Sequence, residues 1–320
     1  MALRTEFTDL FDIEHPVVLA PMGGVAGGEL AAAVSEAGGL GLIGAGGGAE
    51  ELLDRECAML TARTEKPWGI GLLSWAIDLD TVRRTVRRRP HTILLSFGDP
   101  TPFAAVVRES GIPLLVQVTT TDEAARALAA GADVLIAQGA EAGGHGGGRA
   151  TLPFVPAVVD MAAGTPVLAA GGIADGRGLA AALVLGAAGA LIGTRFEATH
   201  ESLLSAEEAK AIIAARGGDT ERNRIIDIAR ESPWPAEYTA RTLRNRFLDE
   251  WVGREAELAA DPVARQRYRE AAEQGDLDCA PIWAGENIDL IGSLESAADL
   301  VRRISSDAEH VLRRAAARCD

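Results

Sequence analysis

Cysteine, lysine and aromatic residues are all scarce in this 320-residue chain. The three cysteines, Cys57, Cys279 and Cys319, lie far apart, and neither a CxxC nor an HExxH motif occurs. We therefore expect neither a disulfide framework nor a metal site. The formal net charge of −15 argues against nucleic acid or an anionic membrane as a partner.

Long apolar runs are also missing. Residues 1–12 include Arg4, Glu6, Asp9 and Asp12 and lack the apolar core of a signal peptide. The longest weakly polar stretch, residues 178–193, is rich in glycine and alanine and is too short to span a bilayer. These absences predict a cytoplasmic protein without a membrane partner, which could form a homo-oligomer.

Short apolar segments alternate with amphipathic helical segments through the first two-thirds of the chain. The apolar segments predict eight strands, at residues 17–20, 40–43, 68–72, 92–95, 114–118, 134–137, 167–170 and 190–192. They are apolar throughout, as in parallel strands covered on both faces. Helical segments at 29–37, 121–130 and 175–185 each stop at glycine. Eight such units predict a (β/α)8 TIM barrel with its active site on the loops that follow the strands.

The character of the chain changes near residue 200. Segments 206–216, 236–252 and 262–274 read as helices rich in arginine, glutamate and alanine, and 296–319 reads as a closing helix. We predict a barrel from residues 1–200 and 285–320, and a helical subdomain without strong strands from 201–284. Two interpretations of the subdomain stay open: a simple extension, or a lid over the barrel mouth.

The loop after the sixth strand is the most unusual part of the sequence. It reads AQGAEAGGHGGG from residue 137 and has six glycines between residues 139 and 148. Ordering such a loop costs backbone entropy, which indicates unusual backbone angles or close contact with a ligand. Its central His145 is then a candidate acid, base or anion partner. The alternative is an exposed flexible loop with an incidental histidine.

Three other loops carry small residues directly after predicted strands. Ala20-Pro21-Met22-Gly23 follows the first strand and would let a flat ligand approach the backbone. Gly171-Gly172 and Gly193-Thr194 follow the seventh and eighth strands, where barrel enzymes often hold a phosphate with backbone N–H groups. Tight strand-to-helix turns are the alternative explanation.

Three charged residues near these loops have simpler interpretations. Asp175 stands where a helix N-cap is expected. Arg195 can serve as a salt-bridge partner, and Glu141 can either orient His145 or pair with an arginine.

At these loops the sequence resembles the nitronate monooxygenases, formerly called 2-nitropropane dioxygenases. The matching stretches include APMGGVAGGELAAAVSEAGGLGLIGAG, ADVLIAQGAEAGGHGG, PVLAAGGIADGRGLAAALVLGAAGALIGTRFEAT and the region from IIDIARESPWP to LRNRF. The resemblance covers nearly the whole chain. It implies a TIM barrel with an inserted helical domain and a non-covalently bound FMN.

The resemblance also assigns residues. His145 matches the active-site histidine. The positions expected to contact FMN are Ala20, Pro21, Met22, Gly23, Gly71, Gln138, Gly143, Gly144, Gly171, Gly172, Gly193 and Thr194. Gly71 stands where many relatives have an asparagine whose amide meets the flavin, so this contact is expected to differ here.

The function implied is oxidative denitrification of a small alkyl nitronate, with O2 as the second substrate. His145 would act as a base or stabilise the anion. The alternatives are an NAD(P)H-dependent FMN reductase, of the quinone reductase or enoyl-acyl-carrier-protein reductase type, and a flavin-binding partner without turnover.

Overall fold

A computed structural model describes residues 3–319. Its strands are β1 (Val17–Leu19), β2 (Gly41–Gly46), β3 (Trp68–Leu73), β4 (Thr92–Ser96), β5 (Leu114–Val118), β6 (Val134–Gln138), β7 (Gly144–Gly146), β8 (Val167–Ala170), β9 (Gly189–Ile192), β10 (Thr220–Asn223) and β11 (Thr239–Leu243). Its α-helices are α1 (Glu6–Phe11), α2 (Gly28–Glu36), α3 (Glu50–Thr61), α4 (Leu79–Arg87), α5 (Thr101–Glu109), α6 (Thr121–Ala130), α7 (Thr151–Met161), α8 (Gly176–Val184), α9 (Thr194–Glu197), α10 (Ala206–Ala214), α11 (Ile225–Arg230), α12 (Arg246–Trp251), α13 (Glu255–Ala260), α14 (Pro262–Glu273) and α15 (Ala297–Ala316).

Eight parallel strands form the barrel predicted from the apolar segments. Their order is β1-β9-β8-β6-β5-β4-β3-β2. A parallel bridge between Val18 and Leu40 joins the first strand to the segment before β2 and closes the ring. The TIM-barrel prediction is confirmed.

The strands are apolar on both faces because one face packs inside the barrel and the other packs against the helices. Alternate residues such as Val18 and Leu94 point into the barrel, whereas Ile93 and Leu95 pack against the surrounding helices. Phe7, from α1, closes the end of the barrel where the strands begin. Full burial of such a side chain contributes about 1.5–3 kcal/mol. The other end, where the strands finish, stays open for a ligand.

Helix ends follow the sequence signals. Asp175 caps α8 by accepting the N–H groups of Arg177 and Gly178. Gly131 ends α6 in the left-handed conformation, with φ of 85°. The capping role expected of Asp175 is therefore confirmed, and α8 is fixed directly after the loop that contains Gly171 and Gly172.

The segment 201–284, expected to be helical without strong strands, contains two short strands as well as helices. Strands β10 and β11 pair antiparallel, and β11 pairs in turn with β7, the strand that contains His145. Strand β11 (TARTL, residues 239–243) lies within the segment 236–252 that was predicted to be a helix. Only α12 in this segment is helical. These strands leave no clear sequence signal because they are short and polar, and because β7, the partner of β11, lies 93–97 residues earlier in the chain. The division into barrel and subdomain stays a proposal.

Two further features are absent from the described residues. No helix within residues 3–319 is long and apolar enough to cross a membrane. The same residues include no group of three or more His, Cys, Asp or Glu side chains that could hold a metal ion.

Candidate active site

A cavity of about 420 Å³ lies where the barrel strands end. Every residue predicted from the sequence as a site residue lines it: Ala20, Pro21, Met22, Gly23, Gly71, Gln138, Gly143, Gly144, His145, Gly171, Gly172, Gly193 and Thr194. The loops after β1, β6, β8 and β9 and the end of β3 thus meet around one space, as barrel topology requires.

Close backbone packing shapes this cavity. A Cβ atom added to Gly71 would overlap the Pro21 ring, so the loop after β1 lies directly on β3. A Cβ added to Gly143 would lie 2.7 Å from the backbone carbon of Ala284 and 2.9 Å from the Thr194 hydroxyl. A side-chain amide in place of Gly71 therefore needs a different position of Pro21.

Polar side chains that sequence reasoning missed line the same wall. Gln117, from β5, and Ser96, from β4, reach the cavity, and neither side chain forms a hydrogen bond with another residue of the range 3–319. Gln117 is the single polar residue in the buried strand LLVQV. That interruption of an apolar strand was a usable signal for a residue that faces a ligand.

The residues around the cavity fit a flat heteroaromatic ligand with a phosphate. The amide nitrogen of Gln138 donates to the His145 carbonyl over 3.1 Å, while its Oε1 is buried without a partner among the described residues. A ring N–H would satisfy this oxygen. Gly171 and Gly172 have φ of 95° and 76°, a conformation that frees the backbone of this turn to approach an anion closely.

His145 is buried and held at the cavity wall. It is 8% exposed, and its place in β7 is fixed by pairing with Ala240. Its ring stacks on Trp234 with centroids 3.6 Å apart and planes 5° apart. Its Nε2 lies 3.1 Å and 3.0 Å from the two carboxylate oxygens of Asp227. The exposed-loop alternative is therefore wrong for His145.

The carboxylate beside His145 is Asp227, and the expectation that Glu141 could orient the ring was wrong. Glu141 instead accepts the backbone N–H and the hydroxyl of Thr151 at the start of α7. Asp227 lies on α11, 82 residues after His145. The sequence offered one hint: Asp227 interrupts the buried apolar face formed by Ile225 and Ile226.

Two arginines within residues 201–284 bind the carbonyl groups of the glycine-rich loop. Arg222 donates to the carbonyls of Ala142 (2.7 Å), Ala140 and Gly146, and also to Thr239. Arg241 donates to Ala140 as well. Burial, with the nearby Arg241 charge, lowers the pKa of Arg222 to about 10. These bonds order a loop whose glycines would otherwise leave it mobile.

A buried acid lines the cavity from α9, and an arginine of the same helix forms an ion pair. Glu197 lines the cavity at 3% exposure, and its Oε2 has no partner within the range that the structure describes. Burial, with Glu208 nearby, raises the pKa of Glu197 well above its usual range. Arg195 forms an ion pair with Glu295, which confirms its expected role.

Comparisons with known proteins agree with this geometry. The family model described as nitronate monooxygenase matches residues 4–81 and 74–307. Nitronate monooxygenase npaC of Metarhizium robertsii is 34% identical over 330 residues, which cover 92% of this chain and 91% of that protein. FabK from Thermotoga maritima has a similar solved structure, with a TM-score of 0.88, 31% identity and 99% coverage of both chains.

A relative of different name is also similar. It is the (3aS,4S,5R,7aS)-5-hydroxy-7a-methyl-1-oxo-octahydro-1H-indene-4-carboxyl-CoA dehydrogenase of Mycobacterium tuberculosis, 42% identical over 208 residues. The match covers 63% of this chain and 58% of that relative's length.

The arginine contacts to the glycine-rich loop lead to a prediction. Replacing Arg222 with Met keeps the apolar stem and removes all its donors. Because hydrogen bonds to charged groups contribute about 1.5–3 kcal/mol each, unfolding should become easier by about 2 kcal/mol or more, and proteolysis within residues 140–148 should accelerate. Thermal unfolding and limited digestion measure both effects. Arg246→Met is the control, since Arg246 is exposed and lies 4.0 Å from its nearest carboxylate. Equal behaviour of the two variants would contradict the role of Arg222.

Proposed function

Because the chain belongs to the nitronate monooxygenase family, whose members are flavin-dependent oxidoreductases, we propose that it binds FMN and oxidises small alkyl nitronates with O2. One observation carries this proposal. His145 is fixed against a cavity in which the glycine loops leave room for a flat ligand and a phosphate. The substrates are then a small anionic nitro compound and O2.

The cofactor contacts follow from the walls of the cavity. The backbone of residues 20–23, with Gly71 behind it, would support one face of the ring system. The orphaned Gln138 oxygen would accept a ring N–H, and Gly143 and Gly144 would border the ring edge. The N–H groups of the Gly171-Gly172 and Gly193-Thr194 turns would hold the phosphate. FMN, when bound, supplies the redox chemistry of the reaction.

His145 would bind and deprotonate the substrate, and segment 201–284 would cover it. On a neutral nitroalkane the imidazole would take the proton from the carbon next to the nitro group. On a preformed nitronate, its protonated form would hold the negative charge. Segment 201–284 would act as the lid, since Arg230, Trp234 and Trp283 line the cavity from that side and exclude water from it.

The phosphate contact can be tested at Gly172. A side chain there is strained by its φ of 76° and lies 3.3 Å from Glu141. Gly172→Ala should therefore weaken FMN binding by about tenfold or more, the effect of at least 1.4 kcal/mol of strain, while riboflavin, which lacks the phosphate, loses less. Fluorescence titration of the apoprotein measures both affinities.

The control for this test is Gly164→Ala. Gly164 has a φ of 99° and open space around it, and it does not line the cavity. Equal losses of FMN and riboflavin affinity in Gly172→Ala would show that this turn does not hold the phosphate.

The activity test uses nitroethane and its nitronate. The purified protein should be yellow, release FMN on acid precipitation and consume O2 when nitronate is added. His145→Ala should keep its flavin and lower kcat/KM on neutral nitroethane by about 10²–10⁴-fold, as loss of general base catalysis does. The loss on the nitronate should be smaller if His145 acts as a base, and comparable if it stabilises the anion. A colourless protein that does not bind added FMN, or one without O2 uptake, would refute the proposal.

A second candidate function is oxidoreduction of a larger anionic substrate, such as a coenzyme A thioester, or of NAD(P)H itself. Arg230 favours it. Its guanidinium lies 5.9 Å from the centre of the Trp283 ring at the cavity, and it forms no ion pair within residues 3–319. The adjacent Glu231 already binds Arg265 and Arg269. An unpaired cation at the cavity wall suits a substrate with a negative charge distant from the reacting carbon.

Anaerobic mixing separates the two candidates. If the second candidate holds, NADH or an acyl-CoA should bleach the flavin faster than nitronate does. Arg230→Met should then raise the KM for that anion about tenfold, because the loss of one charge contact worth about 1.4 kcal/mol has this effect. Bleaching by nitronate alone, with no effect of Arg230→Met, would exclude it.

A further inference from the structure

The imidazole of His145 is enclosed on its faces and at one edge. Trp234 covers one face in parallel stacking, and the Trp283 ring lies 5.4 Å away at a tilt of 40°. At the edge, Nε2 lies almost equally far from both oxygens of Asp227. The other ring nitrogen, Nδ1, has no hydrogen-bond partner among residues 3–319.

We infer that Asp227 is a positioning residue, which keeps a proton on Nε2 of His145 and leaves Nδ1 as the nitrogen that meets the substrate. The reaction assigned to Nδ1 rests on the proposed function, whereas the orientation of the ring does not. Asp227 acts through His145 and does not itself reach the substrate, since it does not line the cavity.

Burial decides where the proton lies. The Asp227 side chain is 1% exposed, and the Nε2–H group of His145 is its only hydrogen-bond donor within the described range. A buried carboxylate without a donor is strongly destabilising. If the ring carried its proton on Nδ1, the Nε2 lone pair would face two carboxylate oxygens and repel them. The Nε2–H tautomer satisfies both groups, as aspartate does for histidine in catalytic triads.

The orientation then specifies the proton transfer. The Nδ1 lone pair forms a bond to the proton on the carbon next to the nitro group. The electrons of the broken C–H bond become the C=N bond of the nitronate, and the negative charge moves to its oxygens. The resulting imidazolium donates Nε2–H to Asp227 and Nδ1–H towards the nitronate, so one residue serves as base and then as anion partner.

Both constraints on the ring come from the inserted segment. Asp227 lies on α11. Trp234 follows it in the chain between Pro233 and Pro235, and these prolines limit the backbone freedom of Trp234. The barrel supplies His145 itself, through the glycine-rich loop. The reactive orientation therefore exists only when the segment is paired with that loop through β11 and β7.

The tautomer can be observed directly in the flavin-loaded protein. Multiple-bond ¹H–¹⁵N spectra of protein labelled with ¹⁵N-histidine distinguish protonated from unprotonated ring nitrogens, and a spectrum of His145→Gln identifies the signals of His145 among five histidines. For the neutral ring, we expect a protonated Nε2 and an unprotonated Nδ1. A neutral ring with its proton on Nδ1 would overturn the inference without need of any variant.

Substitution tests the consequence for catalysis. Asp227→Asn should retain the flavin, shift His145 towards a mixture of tautomers and lower kcat on neutral nitroethane by about 10²–10⁴-fold, the scale of general base catalysis. KM should change little, and the pH profile of kcat/KM should shift. Asp227→Glu should restore part of the rate. Asp249→Asn, an exposed aspartate on α12, is the matched control and should change nothing.

The outcomes separate this inference from the proposed function. Unchanged tautomer and rate in Asp227→Asn would overturn the positioning role even if the enzyme oxidises nitronates. If the protein lacks nitronate activity but shows the Nε2–H tautomer, lost in Asp227→Asn, the positioning role stands and the substrate assignment fails. If Asp227→Asn does not fold, the wild-type spectrum and Asp227→Glu decide.

Discussion

The pairing of β7 with β11 is the interaction on which the candidate active site depends. A loop with six glycines within ten residues has no intrinsic preference for one shape. Here the β7 part of the loop pairs with β11, and Arg222 and Arg241 donate hydrogen bonds to the loop carbonyls. The entropy lost in ordering the loop is offset by charge-assisted hydrogen bonds, and the result is a rigid wall that carries His145.

The barrel and most of its cavity could be predicted from sequence because both leave local signals. A parallel strand covered on both faces must be apolar throughout, so segments such as LLVQV and VLIAQ are visible without knowledge of their neighbours. Glycine pairs at strand ends are equally local, since Gly171 and Gly172 adopt backbone angles that other residues resist. The chain order of strands then brings these loops together by topology alone.

The partner of His145 could not be predicted in this way, because it depends on contacts distant in sequence. Strands β10 and β11 are short and contain arginine and threonine, so they resemble neither buried strands nor amphipathic ones. They exist because the glycine-rich loop offers an edge for pairing, and no property of residues 220–243 indicates that edge. Glu141 was the nearest acid in sequence, yet its carboxylate is used at the start of α7.

The two sides of the cavity thus differ in how well they tolerate amino-acid substitutions. On the barrel side, added atoms at Gly71 or Gly143 would meet Pro21 or the backbone near Ala284, so the space for a flat cofactor is set by close packing. On the segment side, Arg230, Trp234 and Trp283 contribute side chains rather than backbone. Side chains at a cavity wall can be exchanged without refolding the barrel. In the proposed function, residues 201–284 would therefore determine which substrate meets His145 and in which orientation, while the barrel would hold the flavin beside it.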